Sequence, residues 1–239
     1  MIENIHEAAR WLEMALRPDP GQERRLLAAV SVLSEKPQLA VLLRSLLADR
    51  RSTAAVAAHS FTHPLGFDKL ALAMSPSFDY HLRLHVWWPG EQESVEDVHN
   101  HRFAFASAVL DGVLDMQTFE RADDGLPVQE YESTWSRAVG ISTFRHVGNA
   151  VLGCTLTSRM PAGTVYCMSA RALHRITAAR GGISATLFLQ GPIMRPWTAI
   201  FSDQATRRRP AIARPTMSPR SFGERVAAYL ETLEASLAA

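Results

Sequence analysis

The chain is short of the features that assign a protein quickly. Two cysteines, Cys154 and Cys167, occur in 239 residues. That is too few for a disulfide framework, and a reducing cytoplasmic setting is expected. No run of about 20 apolar residues is available to span a bilayer. The N-terminal stretch Met1-Ile2-Glu3-Asn4-Ile5-His6-Glu7 has no basic segment leading into an apolar run, so no secretory signal is read there. The formal net charge is only +1, which argues against nucleic acid or an anionic membrane as partner. Arg207-Arg208-Arg209 is a short basic run and reads as a solvated loop. A Gly-rich phosphate loop, a nucleophile elbow, an internal repeat and a low-complexity segment are all missing.

What is present is core-forming material: 47% of the residues are hydrophobic, in the range of a packed globular protein. The length suits one large domain, or one domain with helical additions. The first fifty residues read as helical. Ile5, Ala8, Ala9, Leu12 and Leu16 follow helical spacing until Pro18. Leu26, Leu27, Val30 and Leu33 form a second stripe ending near Pro37, and Leu39, Leu42, Leu43, Leu46 and Leu47 a third. Such stripes must pack on something, either as a cap on the rest of the fold or as a homodimer contact.

From about Phe67 the period shortens to two. Leu82, Leu84 and Val86 alternate with Arg83, His85 and Trp87. Strands are expected at Phe103–Leu110 and Val113–Phe119, with Asp111-Gly112 between them as a hairpin signal. Asp123-Asp124-Gly125-Leu126-Pro127 reads as a second turn. Further strands are expected at Val128–Trp135, Ile141–His146, Ala150–Thr157, Thr164–Met168 and Ile183–Leu189. This series predicts a sandwich, barrel or jelly roll. The tail returns to helix over Ser218–Leu237, with Ser218-Pro219 as cap and first turn and Val226, Leu230, Leu233 and Leu237 as its stripe.

The chemistry is concentrated in histidines. In His99-Asn100-His101 an extended backbone turns both imidazoles to one face. A third nitrogen comes from His174, after the turn signal Pro161-Ala162-Gly163. Closed around one ion, three neutral nitrogens would hold it and leave other positions open for chemistry.

This arrangement resembles the two metal motifs of the cupin superfamily, over roughly Lys69 to Ile200. Many cupins place a glutamate between the second histidine and the glycine of the first motif. Here the interval from Arg102 to Gly112 has no carboxylate before Asp111, which belongs to the turn. A neutral donor set leaves a divalent ion its full charge and favours anionic or thiolate ligands. The missing glutamate, Val86-Trp87-Trp88-Pro89-Gly90 and Leu173-His174-Arg175-Ile176 together look like cysteine dioxygenase and its three-histidine thiol dioxygenase relatives. That resemblance implies Fe(II) held by His99, His101 and His174, and addition of both oxygen atoms of O2 to a thiol sulfur. It also implies a cationic carboxylate binder on the strand before the first motif. The nearest match is Lys69, in Gly66-Phe67-Asp68-Lys69-Leu70, a point charge where the family has an arginine fork. The family's serine, histidine and tyrosine on the strand after the third ligand correspond to Thr186, Phe188 and Gln190, so the tyrosine hydroxyl is expected to be lost. Phe105 or Ala106 stands nearest the place of the family's cross-linking cysteine.

Other residues follow from strand parity. If the face shared by Arg83, His85 and Trp87 points inward, Arg83 and His85 bind an acid or shuttle a proton; otherwise they occupy a solvent-facing edge. Lys69 has the analogous alternative, a solvated position beside Asp68 outside the barrel. His59, His63, His81 and His146 lack a motif and are expected at the surface. Both cysteines are expected to be buried as small apolar residues, and Trp11 and Trp197 to pack.

The expectation is therefore a mainly β cupin jelly-roll (double-stranded β-helix) barrel with N-terminal helices and a C-terminal helix. Residues 1–52 form the helical segment, 53–205 the barrel with the metal site, and 206–239 a loop and helix. The expected function is a mononuclear non-haem iron(II) dioxygenase acting on a small thiol or amino-acid-like substrate with O2. Lys69, Arg83, His85 and Gln190 are the catalytic candidates. The substrate is expected to be an anion held by Lys69 or Arg83 and larger than, or substituted differently from, cysteine. Two alternatives stand: a metal-dependent cupin lyase or isomerase, and a non-catalytic ligand-binding cupin.

Overall fold

The structure is a computed structural model that describes residues 2–16, 21–77, 79–90, 96–136, 140–178, 181–202, 211–213 and 215–238. Arg207-Arg208-Arg209, Pro18 and the expected boundary at 205 lie outside these residues.

Four helices lead the chain: α1 (Ile5–Ala15), α2 (Gln22–Leu33), α3 (Lys36–Ala48) and α4 (Arg50–Ala57). Local caps set their ends. Asn4 accepts from the Glu7 N–H at 2.9 Å at the start of α1. Asp49 accepts from the Arg51 and Ser52 N–H groups at the start of α4. Pro37 opens α3 rather than ending α2, since a first-turn proline lacks only an N–H that the helix does not use. The short α4 was not foreseen. It carries the helical segment past residue 52 to Ala57. A fifth helix, α5 (Pro219–Ala238), closes the chain, with the Ser221 N–H donating to Ser218 Oγ at 3.1 Å.

Among the described residues between them run the strands β1 (Phe61–Thr62), β2 (Asp68–Met74), β3 (His81–Trp87), β4 (Val98–His99), β5 (Phe105–Asp111), β6 (Val113–Ser136), β7 (Ile141–Pro161), β8 (Val165–Met168), β9 (Leu173–Ala178), β10 (Ser184–Gln190), β11 (Thr198–Ser202) and β12 (Ala211–Ala213). They form two antiparallel sheets. Sheet A has the order β1-β2-β3-β10-β5-β8, and sheet B the order β11-β4-β9-β6-β7-β12. From β3 to β10 the chain passes repeatedly between the sheets, building 3-10-5-8 against 4-9-6-7. That order defines a jelly roll.

Three turn readings are corrected. Asp111-Gly112 is a corner between sheets, not a hairpin: β5 pairs with β10 and β8, whereas β6 pairs with β7, β9 and β11. Gly112 turns the corner with φ 74°. A Cβ there would lie 2.7 Å from the Ile183 carbonyl oxygen and 2.9 Å from Ser184 Cα, so only glycine fits. The Asp123–Pro127 segment does not reverse the chain. Arg121 and Leu126 both pair with Leu152, so the residues between them bulge out of one long strand. The segments expected as Val128–Trp135, Ile141–His146 and Ala150–Thr157 are accordingly parts of β6 and β7. The Pro161-Ala162-Gly163 turn stands, with Gly163 at φ 91°.

The helices pack on the outer face of sheet A. Leu12, Leu26, Leu33, Leu39, Leu42 and Leu46 meet Leu70, Leu82, Leu84, Leu187 and Leu189 in one buried cluster. The apolar stripes are thus taken up by the chain's own sheet. Inside the barrel a second cluster holds Phe105, Val109, Leu114, Met116, Ile176 and Phe188. Polar staples join the layers. Asp111 accepts from Lys36 Nζ at 2.9 Å and from the Tyr229 hydroxyl at 2.7 Å. Asp68, expected in solvent under one reading, is 1% exposed. It accepts from Thr62 Oγ1 and Trp88 Nε1, each at 2.7 Å, and pairs with Arg225 at 3.4 Å.

Both cysteines are exposed rather than buried, on stretches of β7 and β8 where other exposed residues surround them. Among the described residues, no single helix is long and apolar enough to cross a membrane.

Candidate metal centre and cavity

Sheet B builds the centre by register. In the pairing of β4 with β9, His99 stands directly across from His174. Asn100 fixes this edge: its Oδ1 accepts from the Ala199 N–H at 2.8 Å, and its own N–H donates to the Ala199 carbonyl at 3.1 Å. The next residue, His101, then turns back beside its neighbours. Ring centroids lie 4.9 Å apart for His99–His101, 4.7 Å for His99–His174 and 5.1 Å for His101–His174. One nitrogen from each of the three falls within 4.8 Å of the other two.

The donor chemistry fits a divalent ion. His99 Nδ1 donates to the Asp97 carbonyl at 2.8 Å, and His174 Nδ1 to the Ala172 carbonyl at a longer 3.4 Å. A carbonyl only accepts, so each Nδ1 carries the hydrogen and each Nε2 keeps its lone pair. Burial holds the rings neutral. It lowers His174 from the usual 6.5 to about 3, with His99 adding repulsion. Burial also lowers His101 well below 6.5, helped by His99 and His174. His99 is lowered by burial, with the Glu96 carboxylate opposing and Lys69 assisting. Neutral imidazole is the form that ligates. Among the described residues this cluster contains no carboxylate.

The three histidines open into a cavity of about 450 Å³ between the sheets. Phe105 and Phe188 stack at 4.6 Å and face His101, whose ring lies 4.8 Å from Phe105 and 6.1 Å from Phe188. On the far side of Phe188, the His85 ring stacks at 5.0 Å.

Lys69, Arg83, His85 and Gln190 all line this cavity. They are brought together by pairing: Lys69 stands across from His85 on β2 and β3, and Gln190 across from His81 on β10 and β3. The inward alternative for Arg83 and His85 is therefore the observed one. Burial lowers His85 well below 6.5, and the charges of Lys69 and Arg83 lower it further. His85 Nε2 and Gln190 Oε1 are buried without a hydrogen-bond partner.

His59, His63 and His81 also line the cavity instead of the surface. His81 is 6% exposed, and its Nδ1 accepts from Arg83 Nη2 at 2.7 Å. The signal for it was available, since His81 has the parity of Arg83, His85 and Trp87 on one strand. Of the expected surface histidines only His146 is exposed. β10 carries Gln190 where the tyrosine was expected to be lost, and a phenol reaches the cavity from another strand. Tyr166 enters the cavity from β8. Burial raises it to about 12, against a hydrogen bond to Ser107 that lowers it.

No protein-family model matches the chain, and no curated protein matches it in sequence. Solved structures similar to it include KdgF from Halomonas sp., at 12% identity and TM-score 0.33, covering 54% of this chain and 81% of that one. An RmlC-like cupin from Shewanella frigidimarina is 13% identical, at TM-score 0.34, with 56% and 82% covered. Hydroxypropylphosphonic acid epoxidase from S. wedmorenis is 12% identical, at TM-score 0.31, with 52% and 50% covered. At these scores the likenesses add nothing to the strand order, which defines the jelly roll by itself.

Proposed function

We propose that the chain is a mononuclear non-haem iron(II) dioxygenase of the three-histidine cupin type, acting on a small anionic thiol or amino-acid-like substrate. The observation that supports this most is the convergence of His99, His101 and His174, all kept neutral, on a cavity that also holds Lys69 and Arg83. Fe(II) held by these three nitrogens would supply a binding position for a thiolate and the redox chemistry of O2. In the overall reaction the sulfur gains both oxygen atoms and the thiol becomes a sulfinic acid, with no external reductant.

The chain's own residues do the rest. Lys69 and Arg83 hold the substrate's anionic group, where a charge-assisted hydrogen bond contributes on the order of 1.5–3 kcal/mol. His85, neutral beside Lys69 and Arg83, hydrogen-bonds the same anionic group through Nε2. Gln190 Oε1 accepts from a donor on the substrate. Phe105 and Phe188 keep water from the reacting sulfur. A second reading, a metal-dependent lyase or isomerase, draws on the same three neutral histidines, which would hold a divalent ion as a Lewis acid.

Oxygen dependence separates the two. Anaerobically purified protein, loaded with Fe(II) and given a panel of thiols and amino acids, is expected to consume one O2 per thiol oxidised. Turnover that is unchanged under strict anaerobiosis, or fastest with Zn2+, would replace the dioxygenase with the lyase or isomerase.

A further inference from the structure

The three histidines and the Lys69–Arg83–His85 group use only part of the cavity. The remainder runs along sheet B from the metal centre. Ile200 stands across from His99, Thr198 across from Ser133, and Trp135 across from Ser142. All of these line the cavity, as does Phe144. This wall is aromatic and aliphatic, with hydroxyls set into it and no charge among the residues named. One hydroxyl stands out. Ser142 is 1% exposed, and its Oγ has no hydrogen-bond partner. A hydroxyl buried in that state is costly and calls for a partner. A ligand or water in the cavity it lines can supply one.

Size points the same way. A cavity of about 450 Å³ falls in the range of about 300–1,000 Å³ that takes drug-sized ligands. A three-carbon amino acid fills little of it. Trp135 and Phe144 make this part of the wall aromatic, which favours an aromatic group over a flexible chain.

We propose that the thiol or amino-acid-like substrate of this site carries a hydroxylated aromatic ring beside its acidic head. Its acidic head lies at Lys69, Arg83 and His85, and its reactive atom at the three histidines. Its ring lies against Trp135, Phe144 and Ile200, where a ring hydroxyl pairs with Ser142 Oγ. The place of the reactive atom rests on the metal-centre reading above, whereas the ring pocket can be measured without a metal.

The test is calorimetric titration of the full chain, kept metal-free with chelator, against propionate, 3-phenylpropionate and 3-(4-hydroxyphenyl)propionate. The phenyl acid is expected to bind about tenfold or more tighter than propionate. The hydroxyphenyl acid is expected to gain roughly a further fivefold. Ser142→Ala should erase only the second gain, and Trp135→Ala should reduce the first. If Trp135→Ala fails to fold by its melting curve, the wild-type series and Ser142→Ala decide. Three acids within about twofold of one another, no binding of any, or a hydroxyl preference that survives Ser142→Ala overturns the proposal. Failure of O2 uptake with iron would remove the dioxygenase reading and leave this graded binding intact.

Discussion

The central strands of sheet A, β3, β10 and β5, are buried on both faces, whereas much of sheet B is open to solvent on one. Every residue of β10 is buried. Along β7 exposed residues recur through most of the strand. The helices make the difference, because they cover the outer face of sheet A alone. On β3 this gives two faces of opposite character: Leu82, Leu84 and Val86 under the helices, Arg83, His85 and Trp87 in the cavity. The helix layer therefore carries the cost of holding charged and polar groups inside a barrel. Sheet B contributes through register instead, placing His99 beside His174.

This contrast is sharpest for core truncations. Leu84→Ala, at the fully buried junction of helices and sheet, is expected to cost about 2–5 kcal/mol. Leu156→Ala on β7, where the side chain is 54% exposed, should stay within about 0.5 kcal/mol. Urea unfolding of both variants checks the pair, and equal losses would remove the distinction between the sheets.

The next effect in size is acid sensitivity of the metal-free protein. His85, His101 and His174 are depressed below 6.5 in the folded state, His174 to about 3. Unfolded histidines bind protons near 6.5, so the unfolded chain takes up more protons as pH falls below that value. The stabilising contribution is complete above 6.5 and is lost as pH drops toward the folded values. Each proton adds a slope of about 1.4 kcal/mol per pH unit. Melting temperature should fall between pH 7 and pH 5, and His85→Gln should make the fall shallower. A flat profile would mean that these rings are not held neutral by burial.

Removing one polar staple gives a smaller loss. Asp68→Ala strands the Trp88 N–H and releases Arg225, for about 1–3 kcal/mol. Arg121→Ala on sheet B, whose pair with Glu130 at 2.6 Å is largely solvated on the arginine side, should cost about 0–1 kcal/mol. Thermal unfolding of the two variants compares a buried carboxylate that holds three partners with a single, more exposed ion pair.

Much of this organisation was legible in the sequence, and the gaps have physical reasons. Period-two alternation located both faces of β3, and the three leucine stripes located α1, α2 and α3. The His99, His101 and His174 grouping followed from spacing, turn chemistry and resemblance. Asp111-Gly112 misled because a positive φ at glycine serves a hairpin and a sheet-to-sheet corner equally well; only the pairing partners of β5 and β6 distinguish them. The bulge before Leu126 misled for a similar reason, since Asp and Gly mark any departure from the ladder. Tyr166 and His81 lie in no motif, and only strand pairing brings them to the cavity, although His81 shares the parity of Arg83. The exposure of Cys154 and Cys167 depends on which strand faces lack a covering layer, and that is a tertiary fact.

The central claim is that His99, His101 and His174 form a single metal centre. The most direct measurement is metal content after loading with Fe(II) and desalting under anaerobic conditions, for wild type and for His99→Ala, His101→Ala and His174→Ala, each checked for folding by circular dichroism. The account predicts stoichiometric metal in the wild type and a large loss in every folded variant. Stoichiometric metal retained by all three variants would contradict it.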